Sequence, residues 1–421
     1  YSSYLFFGNL KDTFQLLKLP SGYPVFLSFL IIFPILIAWL LTKYSTLKIV
    51  FAYLNWLMII LCVLQLKAAI PNITQSFSSS STNILWKNKP LQHRPSIYFL
   101  LFDEYPGSMS IKQYANKKNS LDTLLQQRGF FVYDTMYSNY DKTVYSVNSI
   151  LNMEYLDTGF YAPYNAYSSY VKNTKAIQEN KVMHFFAENG YQLINYSLFD
   201  VASERTSFSF PLLQTNNKVL YRNTLIARVE KDLLWKLCLG KYRTNYFYNK
   251  VVLQTHHQNN TILQKTIEAS KEVTQTPIFL YAHLLMPHEP YFTDSNGYVY
   301  DMEKEKHSSD TSQKAWQYLQ YTNTRILEVS DGIRQNDSNA IIIICSDHGW
   351  RDTPPENKLF YVNNYLALHL PNSKHKPPMT SMVNLFRVLL NEYFEQELPL
   401  LPSRSFLLEE EKNKMIEIFP Y

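Results

Sequence analysis

The sequence predicts an α/β protein, with a mostly parallel sheet flanked by helices and two transmembrane helices ahead of it. Three observations carry this. Ser96 to Glu104 (SIYFLLFDE) and Ala340 to Gly349 (AIIIICSDHG) are continuous apolar runs that end in polar residues, the pattern of strands buried on both faces. Helical segments alternate with such runs, as crossover connections require. Pro24 to Thr42 and Ile49 to Leu66 carry no charge, and each is near the length that crosses a hydrocarbon core of about 30 Å.

The elements follow in order. Residues 1–23 read as an extramembrane or interfacial segment, and 24–67 as two spans joined by a short loop. That loop carries Lys43 and Lys48, which predicts a cytoplasmic loop and an extracytoplasmic remainder. The chain starts with Tyr1 rather than Met, so it is expected to begin inside a longer product with at least one earlier span. Residues 68–95 read as a linker that includes SFSSSSTN. A catalytic domain is expected over 96–404 and a tail over 405–421. Within the domain, SLDTLLQQRG from Ser120 predicts a helix with a Ser cap and a Gly stop. FFVYDTMYSN continues as a strand. KVMHFFAENG is a second helix with a Gly stop, and YQLINYS a strand after it. TPIFLYAHLLMP runs as a strand into a loop. Ala315 to Ile333 predicts a long amphipathic helix, and Val383 to Phe394 a late one.

Composition excludes several classes. Gly is scarce at 10 residues and no GxGxxG or GxxxxGK[ST] pattern occurs, which argues against a glycine-rich nucleotide fold. A net charge of +5 without a basic cluster gives no nucleic-acid footprint. The three cysteines, Cys62, Cys238 and Cys345, offer no convincing disulfide pair and read as buried thiols.

Polar residues collect where the strands are predicted to end. Asp103 and Glu104 close one, Asp347 and His348 another, and His288 lies just past a third. Ligands in such sheets bind beyond the carboxyl ends of the strands. A bare buried acid costs several kcal/mol, so these groups are expected to share a cation or to line a wet cleft. Two acids, an imidazole and one further oxygen suit Zn²⁺ or Mn²⁺.

SDHG at Ser346 to Gly349 resembles the signature of the sulfatase-like branch of the alkaline phosphatase superfamily. TVYSVNS at Thr143 to Ser149 resembles the T-x-x-S-x-P nucleophile segment of phosphoethanolamine transferases. MPHEPY at Met286 to Tyr291 is similar to the histidine loop that meets the transferred group. The two spans match the layout of phosphoethanolamine transferases and lipoteichoic acid (glycerol phosphate) synthases. The resemblance covers Ser96 to Arg404 and implies an alkaline phosphatase-like fold. It implies Thr143 as nucleophile and metal ligand, with Glu104, Asp347 and His348 as further ligands. Asp103 matches the paired acids of sulfatases and is a fifth candidate ligand. His288 would contact a phosphoryl oxygen or protonate the leaving group. Ser146, Arg351 and Asn139 are candidate substrate contacts.

The resemblance has departures. Ser146 and Ser149 lack the C/S-x-P-x-R context that formylglycine formation needs, which disfavours sulfate hydrolysis by that route. The cysteines that flank the nucleophile in phosphoethanolamine transferases are missing. Beyond SDHG the next histidine is His369, in a predicted strand. The expected function is a transferase with a divalent metal, Zn or Mn. It would move a phospho-substituent from a membrane lipid donor through a covalent threonine to an envelope glycan or lipid. The domain would face outward from a multi-pass anchor in the cytoplasmic membrane and bind no nucleic acid. A phosphate or sulfate ester hydrolase, and an inactive membrane-bound binding module, are the alternatives.

Overall fold

Six short strands build the main sheet, and the most apolar sequence lies at its centre. β1 (Ile97–Phe102) is paired in parallel with β4 (Ile278–Leu284) on one side and with β5 (Ile341–Cys345) on the other. All three are buried along their whole length. β3 (Gln192–Tyr196) continues the parallel set beyond β4. β6 (Leu366–His369) runs antiparallel to β5, and β2 (Phe131–Val132) closes that edge. The order is β2-β6-β5-β1-β4-β3. The predicted mostly parallel α/β sheet is therefore present. Full burial of each Ile, Leu or Phe in the central strands stabilises by ~1.5–3 kcal/mol.

This computed structural model describes residues 86–87, 91, 93–156, 166–208, 244–272, 276–301, 311–351, 355–409 and 414–418, with scattered positions between 28 and 60. Contacts divide the chain into two units, one of Tyr1–Leu85 with Val219–Asp232, the other of Trp86–Lys218 with Leu233–Tyr421. The sheet belongs to the second.

Two groups of helices accompany the sheet. α6 (Asn245–Lys271) packs against α7 (Thr311–Asn336) and β4, and α7 also meets α2 (Ser120–Gln127). The other group comprises α3 (Thr143–Asn152), α4 (Ala166–Gln178), α5 (Lys181–Glu188) and α8 (Leu385–Tyr393). Aromatic contacts tie this second group to one face of the sheet. Phe386 meets Phe99 and Phe279, Phe186 stacks on Phe279, and Phe99 stacks on Tyr281 with ring centroids 4.9 Å apart. Because side chains alternate along a strand, Phe279, Tyr281 and His283 share that face. α1 (Ser108–Tyr114) lies between β1 and α2 in sequence.

Several local expectations change. The cap of α2 is Asn119, whose side chain accepts from the Leu121 amide, rather than Ser120. Asn is as good an N-cap as Ser, and it sits one residue earlier. The FFVYDTMYSN stretch is strand only at Phe131 and Val132. Beyond these the backbone is satisfied singly, Tyr133 N by Leu366 O and Ser138 N by Val362 O. The helix α6 was not foreseen, since its inward side includes Thr255, Asn259, Thr266 and Ser270, which blur an apolar stripe. Past residue 404, β7 (Ser405–Glu409) and β8 (Lys414–Ile418) form an antiparallel hairpin. Its Phe406 and Leu408 cluster with Tyr140 and Leu156.

The expected spans at 24–42 and 49–66 lie for the most part outside the described residues. Among the described residues, no helix is long and apolar enough to cross a membrane. Ile32, Ile35, Trp39 and Trp56 are helical and exposed.

Candidate metal centre and active site

The carboxyl ends of β1 and β5 are neighbours, so the residues that follow them meet. The ladder extends one step past each strand: Asp103 N donates to Leu284 O at 2.9 Å, and Ser346 N to Tyr365 O at 3.1 Å. Asp103 (2% exposed), Asp347 and His348 (both 0%) then turn toward a common point. One ligand atom from each lies within 4.8 Å of the others. His348 Nδ1 is 2.9 Å from Gly349 O. A carbonyl only accepts, so Nδ1 carries the proton and Nε2 is left as an acceptor. Nε2 lies 3.3 Å from Asp347 Oδ2 and 3.7 Å from Asp103 Oδ1. Those two oxygens are buried without a hydrogen-bond partner among the described residues.

Orphaned buried carboxylate oxygens are costly. Two of them beside an imidazole lone pair form a donor set that fits a divalent cation. The chemistry of these residues therefore matches the expected divalent metal. Gly349 is required here by space. A Cβ at that position would run into the carbonyl oxygens of Phe360 and Asn363.

Thr143 reaches the same point from the other group of helices. It is the first residue of α3, and its Oγ1 is 3.5 Å from His348 Nε2. The opening amides of a helix have no intrahelical acceptors and face an anion favourably. The preceding segment is held by the C-terminal hairpin. Phe406 N donates to Asn139 O at 2.9 Å and Leu408 N to Asp141 Oδ1 at 3.0 Å.

Glu104 points elsewhere. Its backbone is left-handed at φ 61, which turns it out of the strand alternation, and non-glycine residues pay for that. Its Oε1 accepts from Arg351 N at 2.8 Å, and the Arg351 guanidinium lies 3.5 Å from both oxygens. His288 Nε2 is 3.5 Å from Glu104 Oε2 and 3.1 Å from Arg351 Nη2. Glu104, expected as a ligand, thus stands outside the three-residue cluster, while Asp103 stands inside it. Burial pushes both carboxyls up. For Asp103, His288 and the hydrogen bond from His283 outweigh burial and hold the acid ionised. For Glu104, His288 and then Arg351 have the same net effect. His288 shows the reverse balance. Burial disfavours its charge, but Asp103 and Glu104 raise its pKa above the ordinary value.

The other expected contacts lie deeper. Ser146 Oγ donates to Asp347 O, which ties α3 to the strand end. The Asn139 amide donates to Ser381 Oγ at 2.7 Å and to Arg404 O at 2.8 Å. Both residues are fully buried. Sequence reasoning passed over His283, whose Nε2 lies 3.4 Å from Asp103 Oδ2. A histidine inside the apolar run IFLYAHL was the available signal. It also passed over Asn259, whose side chain pairs with both backbone groups of Leu285 at 2.9 Å each and so anchors the loop that carries His288.

No curated protein matches this chain. Among solved structures, the zinc complex of the C-terminal periplasmic domain of EcEptC from Escherichia coli is similar at 12% identity and a TM-score of 0.47, over 79% of this chain and 94% of that one. The C-terminal periplasmic domain of the phosphoethanolamine transferase EptC from Campylobacter jejuni is similar at 16% identity and 0.45, over 74% and 92%. A protein in the alkaline phosphatase superfamily from Vibrio parahaemolyticus is similar at 13% identity and 0.45, over 80% and 81%. Likeness at this level transfers no residue role. The family model described as Sulfatase matches residues 97–374, more than half of the 421 residues, so the chain belongs to the sulfatase family of enzymes.

Proposed function

We propose that this enzyme transfers a phospho-substituent, of the phosphoethanolamine or glycerol-phosphate type, through a covalent phosphothreonine at Thr143. The donor would be a membrane lipid and the acceptor an envelope glycan or lipid. The single observation that carries this is the place of Thr143 Oγ1, 3.5 Å from His348 Nε2 at the edge of the acidic cluster. A threonine at this position cannot become formylglycine, because oxidation of its secondary alcohol gives a ketone. That removes the sulfatase route while keeping an oxygen nucleophile.

Asp103, Asp347 and His348 would hold a divalent ion, with Thr143 and Glu104 beside it. Such an ion supplies stabilisation for negative charge on phosphoryl oxygens. The chain's own groups do the rest. In the first step Thr143 Oγ1 bonds to phosphorus and loses its proton to solvent, while the bond from phosphorus to the lipid alcohol breaks. His288, a quarter exposed at 26%, would give a proton to the departing alkoxide and regain one from water. Arg351, also partly exposed at 27%, and the start of α3 face the anionic group. In the second step the acceptor hydroxyl bonds to phosphorus and loses its proton to solvent, the bond to Thr143 breaks, and Thr143 takes back a proton.

A membrane location agrees with this donor. The uncharged runs at 24–42 and 49–66 would keep the domain at a bilayer surface, on the extracytoplasmic side by the lysines between them.

The test is trapping. Purified protein is incubated with phospholipid labelled in its headgroup, quenched in acid, and the Thr143 peptide is examined by mass spectrometry. The headgroup phosphate is expected on Thr143, with turnover lowered on the order of 10³- to 10⁶-fold in Thr143→Ala. No adduct with phospholipid, together with fast turnover of a soluble aryl phosphate or sulfate, would establish a hydrolase. No adduct, no turnover and no bound metal would mean an inactive module.

A further inference from the structure

One buried titratable pair near the cluster has no part in the chemistry above. Tyr281 and His283 are two residues apart on β4, on one face, and both are fully buried. The Tyr281 hydroxyl is 3.2 Å from His283 Nδ1, and His283 Nε2 is 3.4 Å from Asp103 Oδ2. An ionised carboxylate only accepts, so Nε2 carries the proton toward Asp103. Nδ1 is then a bare acceptor and Tyr281 is its donor. Burial pushes the Tyr281 phenol well up, with the nearby Cys345, Asp347 and Asp103 adding to it, so it keeps its proton. Tyr281 is in turn held by its stack on Phe99. The pairing places His283 opposite Leu101 across the sheet. Asp103, two residues on from Leu101, therefore comes out on the same face.

From this geometry we infer that Tyr281 and His283 are positioning residues, a buried relay that turns Asp103 so that its Oδ1 is delivered to the metal cluster. The inference rests on the reading of Asp103, Asp347 and His348 as a metal centre. Without the relay, Oδ2 would be a second orphan and the carboxylate would be free to rotate. The conformational entropy of fixing it would then fall on ion binding.

The experiment is a Zn²⁺ titration of the full-length protein against a chromophoric chelator, with the melting temperature of each metal-free variant measured beside it. His283→Leu is expected to weaken Zn²⁺ binding about 10- to 100-fold. His283→Gln, whose amide can still donate to Asp103, should recover most of that. Tyr281→Phe, which leaves the ring in place and removes only the tautomer-fixing donor, should weaken binding less than about tenfold. A merely structural role would lower the metal-free melting temperature without this order in affinity. A Zn²⁺ affinity of His283→Leu equal to wild type or, should that variant not fold, a Zn²⁺ affinity of Tyr281→Phe equal to wild type would overturn the inference alone. A wild-type protein that binds no Zn²⁺ would overturn the metal centre and the relay with it.

Discussion

The inner and outer halves of the site solve the problem of buried charge in opposite ways. In the inner half, Asp103 and Asp347 each keep a buried oxygen with no hydrogen-bond partner among the described residues, facing the Nε2 of His348. In the outer half, the Glu104 carboxylate is bound by the Arg351 amide and guanidinium and lies beside His288. The inner half is complete only with something added. The outer half is balanced within itself, yet partly open to solvent. An unsatisfied rigid donor set suits a resident ion, whereas a self-paired and accessible set suits a substrate that comes and goes.

Breaking the inner half should cost binding rather than folding. Asp347→Asn keeps an oxygen for the Glu104 amide, which now donates to Asp347 Oδ1 at 3.1 Å, and removes one uncompensated charge. We expect Zn²⁺ affinity and turnover to fall at least 100-fold, while the metal-free melting temperature holds or rises. A large fall in that temperature would show that the inner acids are structural. Gly349→Ala should damage both halves, because a methyl group there meets the Phe360 and Asn363 carbonyls. A loss of about 3 kcal/mol or more, read by urea unfolding, is expected.

Breaking the outer half should do the reverse of Asp347→Asn. Arg351→Ala leaves the buried Glu104 with only His288 beside it, at a cost of about 3 kcal/mol if the acid stays ionised. Turnover should drop roughly 10²-fold through the lost phosphoryl contact, with Zn²⁺ affinity changed little. Urea unfolding and the chelator titration together separate this from the inner-half result. The smallest effect is predicted far from both halves, at His369. Burial lowers its pKa, the Ala340 carbonyl opposes this, and Arg334 adds to the lowering. A base with a depressed folded pKa contributes full stability above its unfolded pKa of about 6.5. It loses stability as pH falls below that toward the folded value. His369→Gln should therefore flatten the loss of melting temperature between pH 7 and pH 5 by roughly a degree or two. A mutant with the same acid slope as wild type would locate the acid sensitivity in the site instead.

Much of this architecture could be read along the chain, and for local reasons. Short apolar runs such as IYFLLF and IIIIC read as strands buried on both faces. The polar residues that end them must then gather at one edge of the sheet. Asp103, Asp347 and His348 were found in that way. Longer elements escaped where their inward faces are polar, as in α6, or where pairing is remote, as in β7 with its docking on the Asn139 segment.

Sequence was sufficient for a mostly parallel α/β sheet, a Gly-punctuated helix set and a strand-end group of acids and histidine, because period and composition act over a few residues. Folding alone chose which acid of the Asp103–Glu104 pair faces His348, since that depends on a left-handed turn at Glu104 and on Arg351 arriving from 247 positions away. It alone brought Thr143 across 205 positions to His348 and set His283 behind Asp103. Such meetings depend on strand register and helix packing, and no short stretch of sequence encodes them.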